Sequence, residues 1–75
     1  MDIHVGMMLK FPIGELIGWV IDNEPYQYGL AIDLMRYRVE WVNGSITSEA
    51  VANIKTYRNK WLELEESNER LSKQD

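Results

Sequence analysis

The fold of this chain is decided by one stretch, which reads Tyr37-Arg38-Val39-Glu40-Trp41-Val42-Asn43-Gly44. Its residues alternate in polarity, so Tyr37, Val39 and Trp41 share one side of an extended strand while charged residues occupy the other. The Asn-Gly pair supplies the positive φ that a two-residue type I′ turn needs at both central positions. The stretch therefore predicts a strand, a tight turn at 43–44 and a return strand at 45–47.

Two further strands are predicted upstream of this hairpin. Residues 5–11 form the first, and Pro12 ends it because proline fixes φ and lacks an N–H for the ladder. Residues 15–22 form the second, and both of its faces are apolar, which is typical of a central strand. Gly18 in the middle of this strand predicts a bend, a bulge or the close approach of another group.

Downstream of Ser48 the apolar residues recur in alternating steps of four and three, which is the heptad pattern of a helix. This seam consists of Ala50, Ile54, Tyr57, Trp61, Leu64, Asn68 and Leu71. The direct interpretation is one amphipathic helix over 48–72, capped by Thr47 or Ser48.

Composition limits the functions that the chain can have. Its 75 residues suffice for one domain, and 12 acidic against 8 basic residues give a net charge of −4. Such a chain is repelled by phosphate backbones, which disfavours nucleic acid and anionic membranes as partners. No cysteine and a single histidine, His4, exclude disulfides and Cys- or His-rich metal sites. We therefore expect no cofactor and no enzymatic activity. Because no signal peptide and no apolar run long enough to span a membrane is visible in the sequence, we expect a cytoplasmic location.

The order of the motifs resembles that of a known class of small proteins. Leu9-Lys10-Phe11, Ile17-Gly18-Trp19-Val20-Ile21 and the hairpin at 37–44 resemble small uncharacterised bacteriophage proteins with a Tudor/KOW-type β-barrel, the Src-homology-3 architecture. The match covers residues 7–62, and similar proteins often continue with an aromatic-basic stretch like the one at 54–62. The resemblance implies no activity, because such barrels host many unrelated functions.

The resemblance implies a β-rich (α+β) fold, with a twisted Src-homology-3-like β-barrel of four to five strands and a C-terminal amphipathic helix. The barrel strands would lie within 5–47, and the helix would cover 57–72. Residues 48–57 stay open between two interpretations. The resemblance implies a short helix at 48–52 and a closing strand at 53–57, whereas the heptad seam predicts continuous helix.

Three aromatic residues, Trp19, Tyr37 and Trp41, are candidates for one of two roles. Core packing explains them through the alternation of their strands. Alternatively, Tudor-type modules bind cationic side chains in a cage of rings beside a carboxylate, which Asp22 or Glu24 would supply here.

Two other places suit contact with a protein partner. Tyrosines in the predicted loop at 22–29 offer large contact area at low entropic cost. The helix seam continues beyond what a small barrel covers, and Asn68 on that seam is typical of a coiled-coil dimer. The candidate contact residues are Tyr26, Tyr28, Trp61, Leu64 and Leu71. A homo-oligomer is therefore a possible state of the chain.

A group of cations would form a positive patch if the fold brought its members together. The group consists of Arg36, Arg38, Lys55 and Arg58. Small barrels bind single-stranded nucleic acid through such cations beside aromatic rings. The predicted function is a non-enzymatic protein-interaction module, such as a phage accessory or host-directed factor. The alternatives are a nucleic-acid-binding barrel and a structural component of a virion.

Overall fold

The computed structural model of the chain describes residues 3–14, 16–23 and 35–72. Within these ranges, four antiparallel strands precede one long helix, which confirms the predicted α+β class. The elements are β1 (Met8–Lys10), β2 (Ile17–Asn23), β3 (Arg36–Trp41), β4 (Ile46–Ala50) and α1 (Val51–Ser72).

The four strands form one sheet in the order β1-β2-β3-β4, so each strand pairs with its neighbour in sequence. The central position predicted for the second strand is confirmed. Among the described residues β1 and β4 are the two edges of the sheet, and the predicted closed barrel is therefore not confirmed. One register shift between Val20 and Asp22 places a bulge in β2, so Ile21 is the extra residue.

One face of the sheet, here called the inner face, holds the core. Along β3 the exposed Arg36 and Arg38 alternate with the buried Val39 and Trp41, as the sequence alternation predicts. The helix covers this face with side chains spaced three apart, Ile54 and Tyr57. The buried cluster consists of Met7, Leu9, Val20, Val39, Trp41, Ile54 and Tyr57.

The hairpin predicted at Asn43-Gly44 is present, but its turn differs from the predicted type. The amide of Gly44 donates to the carbonyl of Trp41 at 2.9 Å, and Trp41 also pairs with Ser45. The loop therefore has three residues, with Gly44 at a positive φ of 89°. The side chain of Asn43 accepts the amide of Ser45 at 3.0 Å, which stabilises the turn.

Residues 48–57 contain neither the predicted helix cap nor the closing strand. Ser48 belongs to β4, and residues 53–57 lie inside α1, which is continuous. The strand persists to Ala50 because that residue pairs with Arg36 on β3. The carbonyl of Met35 then accepts the amide of Val51 at 2.9 Å and so satisfies the first N–H of the helix. The continuous helix predicted by the seam is confirmed, with a later start.

The structure confirms one of the three roles predicted for Gly18, the close approach of another group. A Cβ built on this residue would lie 2.6 Å from Cε3 of Trp41 and 2.7 Å from the carbonyl oxygen of Glu40. Real Cβ atoms do not come so close, so the indole ring of Trp41 lies directly on the glycine backbone.

Candidate interaction surfaces

The alternative of an aromatic cage does not fit the described sheet, which separates its rings. Trp41 lies opposite Gly18 and is 3% exposed on the inner face, where Tyr37 packs against the core. Trp19 lies opposite Glu40, which has the other parity, so its ring belongs to the outer face. Rings on opposite faces of one sheet cannot surround a common ligand.

The rings that do meet are those of Phe11, Trp41 and Tyr57. Their centroids lie 5.5–5.9 Å apart in edge-on or tilted arrangements, within the favoured range for aromatic pairs. The indole Nε1 of Trp41 donates to Oγ1 of Thr47 at 2.8 Å, so its polar atom is satisfied. These three rings therefore pack together in the core. The sequence pattern did not indicate that Phe11 takes part.

Burial and a neighbouring charge shift the pKa of Tyr57 in the same direction. Its hydroxyl donates to Oε2 of Glu49 at 3.3 Å. Burial raises the pKa of Tyr57 above its ordinary value, and the charge of Glu49 and this hydrogen bond raise it further.

We expect this raised pKa to appear as a loss of stability at high pH. The unfolded chain loses the phenol proton near its ordinary pKa of about 10, while the folded chain still holds it. The stabilisation linked to the proton is therefore complete below that pH and falls as pH rises through the folded pKa. Urea unfolding at several alkaline pH values should show the stability of the parent falling faster than that of Tyr57→Phe. Parallel curves would contradict the assignment.

The structure divides the predicted basic group instead of assembling it. Arg36 and Arg38 lie on β3, on the outer face, whereas Arg58 lies on the helix and reaches β1. Strands lie about 4.8 Å apart, so two strand spacings separate these sites. Arg38 also donates to both oxygens of Asp22, through Nε at 2.6 Å and through Nη2. This pairing holds the pKa of Asp22 below its ordinary value. The described fold therefore does not bring Arg36 and Arg38 together with Arg58, as the conditional positive patch required.

Two of these arginines instead cover the edges of the sheet. Nη1 of Arg58 donates to the carbonyl of Met8 at 3.1 Å, at the edge formed by β1. At the opposite edge, Arg36 donates from Nη2 to the carbonyl of Ser48 at 2.7 Å and from Nε to its hydroxyl at 2.8 Å. Unpaired carbonyls on edge strands are templates for strand addition. An arginine therefore occupies one acceptor on each edge strand, at the start of β1 and at the middle of β4.

The helix continues well beyond the sheet. Its 22 residues span about 33 Å, and Tyr57, in its second turn, already contacts Phe11 and Trp41 beside the two hairpin turns. Every described side chain from Glu65 to Arg70 is exposed. We call residues 61–72 the overhang, which is about 18 Å long at 1.5 Å per residue. It accounts for the elongated shape of the molecule, 51 × 26 × 20 Å.

The overhang carries two of the predicted contact residues, Trp61 and Leu64, and both are half-buried. Leu71 lies in the last turn of the helix, but its side chain is outside what the structure describes. The loop residues Tyr26 and Tyr28 are also outside the described residues, and so is Glu24.

A shallow groove that is largely open to solvent lies along the overhang. Its walls are formed by Trp61, Glu65, Asn68 and Glu69. Three of these residues follow each other at steps of four, so they form one ridge of the helix. Asn68, which the sequence places on a dimer seam, is exposed beside this ridge.

A second apolar surface was missed by the sequence analysis. Ile13 is 80% exposed in the turn after β1, and Val42 and Ile46 are 59% and 54% exposed around the turn between β3 and β4. Both turns lie at the same end of the sheet, because β1 and β2 pair as a hairpin in the same way as β3 and β4. The sequence does contain a signal for this surface. Val42 comes directly before the turn residues Asn43 and Gly44, and turn positions are normally exposed.

Two absences in the described part of the chain are plain. No helix there combines the length and apolarity needed to cross a bilayer. Within residues 3–14, 16–23 and 35–72, no three Asp, Glu or His side chains are grouped so that they could hold a metal ion.

Comparisons of the chain with protein-family models, with curated proteins and with solved structures find no match. The resemblance to bacteriophage Tudor/KOW-type barrels therefore stays a prediction.

Proposed function

We propose that the chain is a non-enzymatic protein-interaction module that binds its partner through the overhang. The observation that carries this proposal is the length of α1, which runs about 18 Å beyond the rings that end the core. Free helices shorter than about 12–15 residues are marginal in water, so packing normally stabilises a helix of this length. A half-buried Trp61 and Leu64 give the overhang an apolar side for such packing.

The charges of the overhang support its role as a contact surface that stays helical while free. Lys60 pairs with Glu63 at 3.3 Å, and Arg70 pairs with Glu66 at 2.8 Å, at spacings of three and four residues. Such pairs add about 0.2–0.5 kcal/mol each to an isolated helix. A helix held in its bound form before contact loses less entropy on binding.

Capture of partners from the native cell by the full chain, followed by mass spectrometry, tests the proposal. Trp61→Ala should lose the partner, because a central tryptophan in an interface contributes about 2 kcal/mol or more, roughly thirtyfold in affinity. Leu62→Ala is the matched control, since Leu62 is 43% exposed one position along and on another side of the helix. Circular dichroism should be alike for all three proteins.

The proposal fails if Trp61→Ala captures the same proteins as the parent in the same amounts. Sedimentation of the parent separates the remaining candidate, self-association, because a dimer that Trp61→Ala converts to monomer would replace the partner by a second copy. Recovery of the chain in purified particles would instead favour a structural role in a virion.

A further inference from the structure

We propose that the groove along the overhang binds a basic segment of the partner protein, with an arginine or lysine side chain lying between Trp61, Glu65 and Glu69. This inference rests on the proposed function and names the chemistry of the partner. It commits to a cationic protein segment and not to a second copy of this chain.

Ion pairs are unevenly distributed along the helix. Glu63 and Glu66 each have a cationic partner one turn away. Among the described residues no ion pair is formed by Glu65 or Glu69, the two carboxylates that line the groove. The nearest arginine on the same side, Arg58, donates to the carbonyl of Met8 at the sheet edge. The groove therefore has a local negative charge that no ion pair among residues 3–14, 16–23 and 35–72 neutralises.

The indole of Trp61 lines the same groove. A tryptophan ring attracts a cation placed over its face, and carboxylates next to the ring add charge-assisted hydrogen bonds. Glu65 lies one turn and Glu69 two turns from Trp61 along the same ridge. An apolar surface flanked by two carboxylates suits the methylene stem and the charged head of an arginine or lysine together.

A second copy of this chain does not suit the groove as its main occupant. Two overhangs packed side by side would bring four groove carboxylates together without an intervening cation, which is repulsive. The contact strip would be about 18 Å long and about 10 Å wide. That footprint is far below the roughly 800 Å² per partner that a stable dimer buries. A cationic segment does not meet the first obstacle, and a footprint of this size suits a weak or transient contact.

The test uses the full chain as bait for a displayed library of random short peptides. Peptides that bind the parent should be enriched in arginine and lysine beside apolar residues. The double variant Glu65→Gln, Glu69→Gln should bind the selected peptides about tenfold more weakly. The matched control is Glu40→Gln, Glu63→Gln, which changes the net charge equally outside the groove. It removes only one helix ion pair, worth about 0.2–0.5 kcal/mol, so binding should be retained within about twofold.

Three outcomes would overturn the inference. They are a selected pool without arginine or lysine enrichment, equal weakening by both double variants, and a stable dimer of the parent at micromolar concentration. These outcomes are distinct from a failure of the proposed function, which is judged by the capture with Trp61→Ala. A partner that depends on Trp61 but not on Glu65 and Glu69 would leave the interaction module standing and remove only the cationic partner.

Discussion

Replacing Trp41 with alanine is expected to lower the free energy of unfolding by about 3–5 kcal/mol, the usual cost of removing a large ring from a core. The residue is 3% exposed, contacts the rings of Phe11 and Tyr57, and lies on the backbone of Gly18. The substitution also leaves the hydroxyl of Thr47 without its indole donor. A domain this small has little stability to spare, so most of the variant should be unfolded at room temperature.

Urea unfolding followed by circular dichroism measures this effect. Trp19→Ala is the matched control, because it removes the same ring from the outer face, where the side chain is only half-buried. Trp41→Phe keeps part of the packing and provides a folded variant whose loss can be quantified. Equal destabilisation by Trp19→Ala and Trp41→Ala would contradict the assignment of Trp41 to the core.

Replacing Gly18 with alanine is expected to destabilise the fold by about 1–3 kcal/mol, the usual cost of an added methyl in a packed core. The new Cβ would meet the indole of Trp41 at 2.6 Å and the carbonyl oxygen of Glu40 at 2.7 Å. The second contact is with the backbone of the paired strand, which cannot rotate away. The sheet would have to separate locally at the pair Gly18 and Trp41.

A double-mutant cycle separates the two contacts of the added methyl. In a Trp41→Leu background the indole is gone, so Gly18→Ala should cost less than it does in the parent. The remaining cost would measure the collision with the backbone of Glu40. An unchanged cost in that background would mean that the indole does not restrict Gly18.

The parts of the fold that local patterns determine were predictable. Alternation in the hairpin strand correctly places Val39 and Trp41 inside, and the seam through Ile54 and Tyr57 correctly predicts one helix. The start of the helix was not predictable in this way. Ser48 is a good helix cap by local chemistry, but bonds from Arg36 across the sheet keep it in a strand. Long-range hydrogen bonds of this kind leave no local pattern.

The candidate site was less predictable, because it depends on which strand the helix packs against. Sequence spacing cannot tell that Arg58 reaches β1 while Arg36 reaches β4, so the two were grouped. In the same way, a cage of Trp19 with Trp41 requires a sheet that closes on itself. The sequence does contain one signal for the overhang, because its heptad seam has more apolar positions than the core can cover. Trp61 and Leu64 are seam residues of this kind, and both are half-buried.

The arginines on the two outer strands have a consequence for how copies of this protein behave at high concentration. Sheets with unprotected rims join side by side into filaments, because each added chain extends the hydrogen-bond ladder and exposes a new rim. Here such growth would first have to displace a guanidinium from the carbonyl of Met8 on one side and of Ser48 on the other. Open-ended growth of the sheet is thereby disfavoured at both of its described rims.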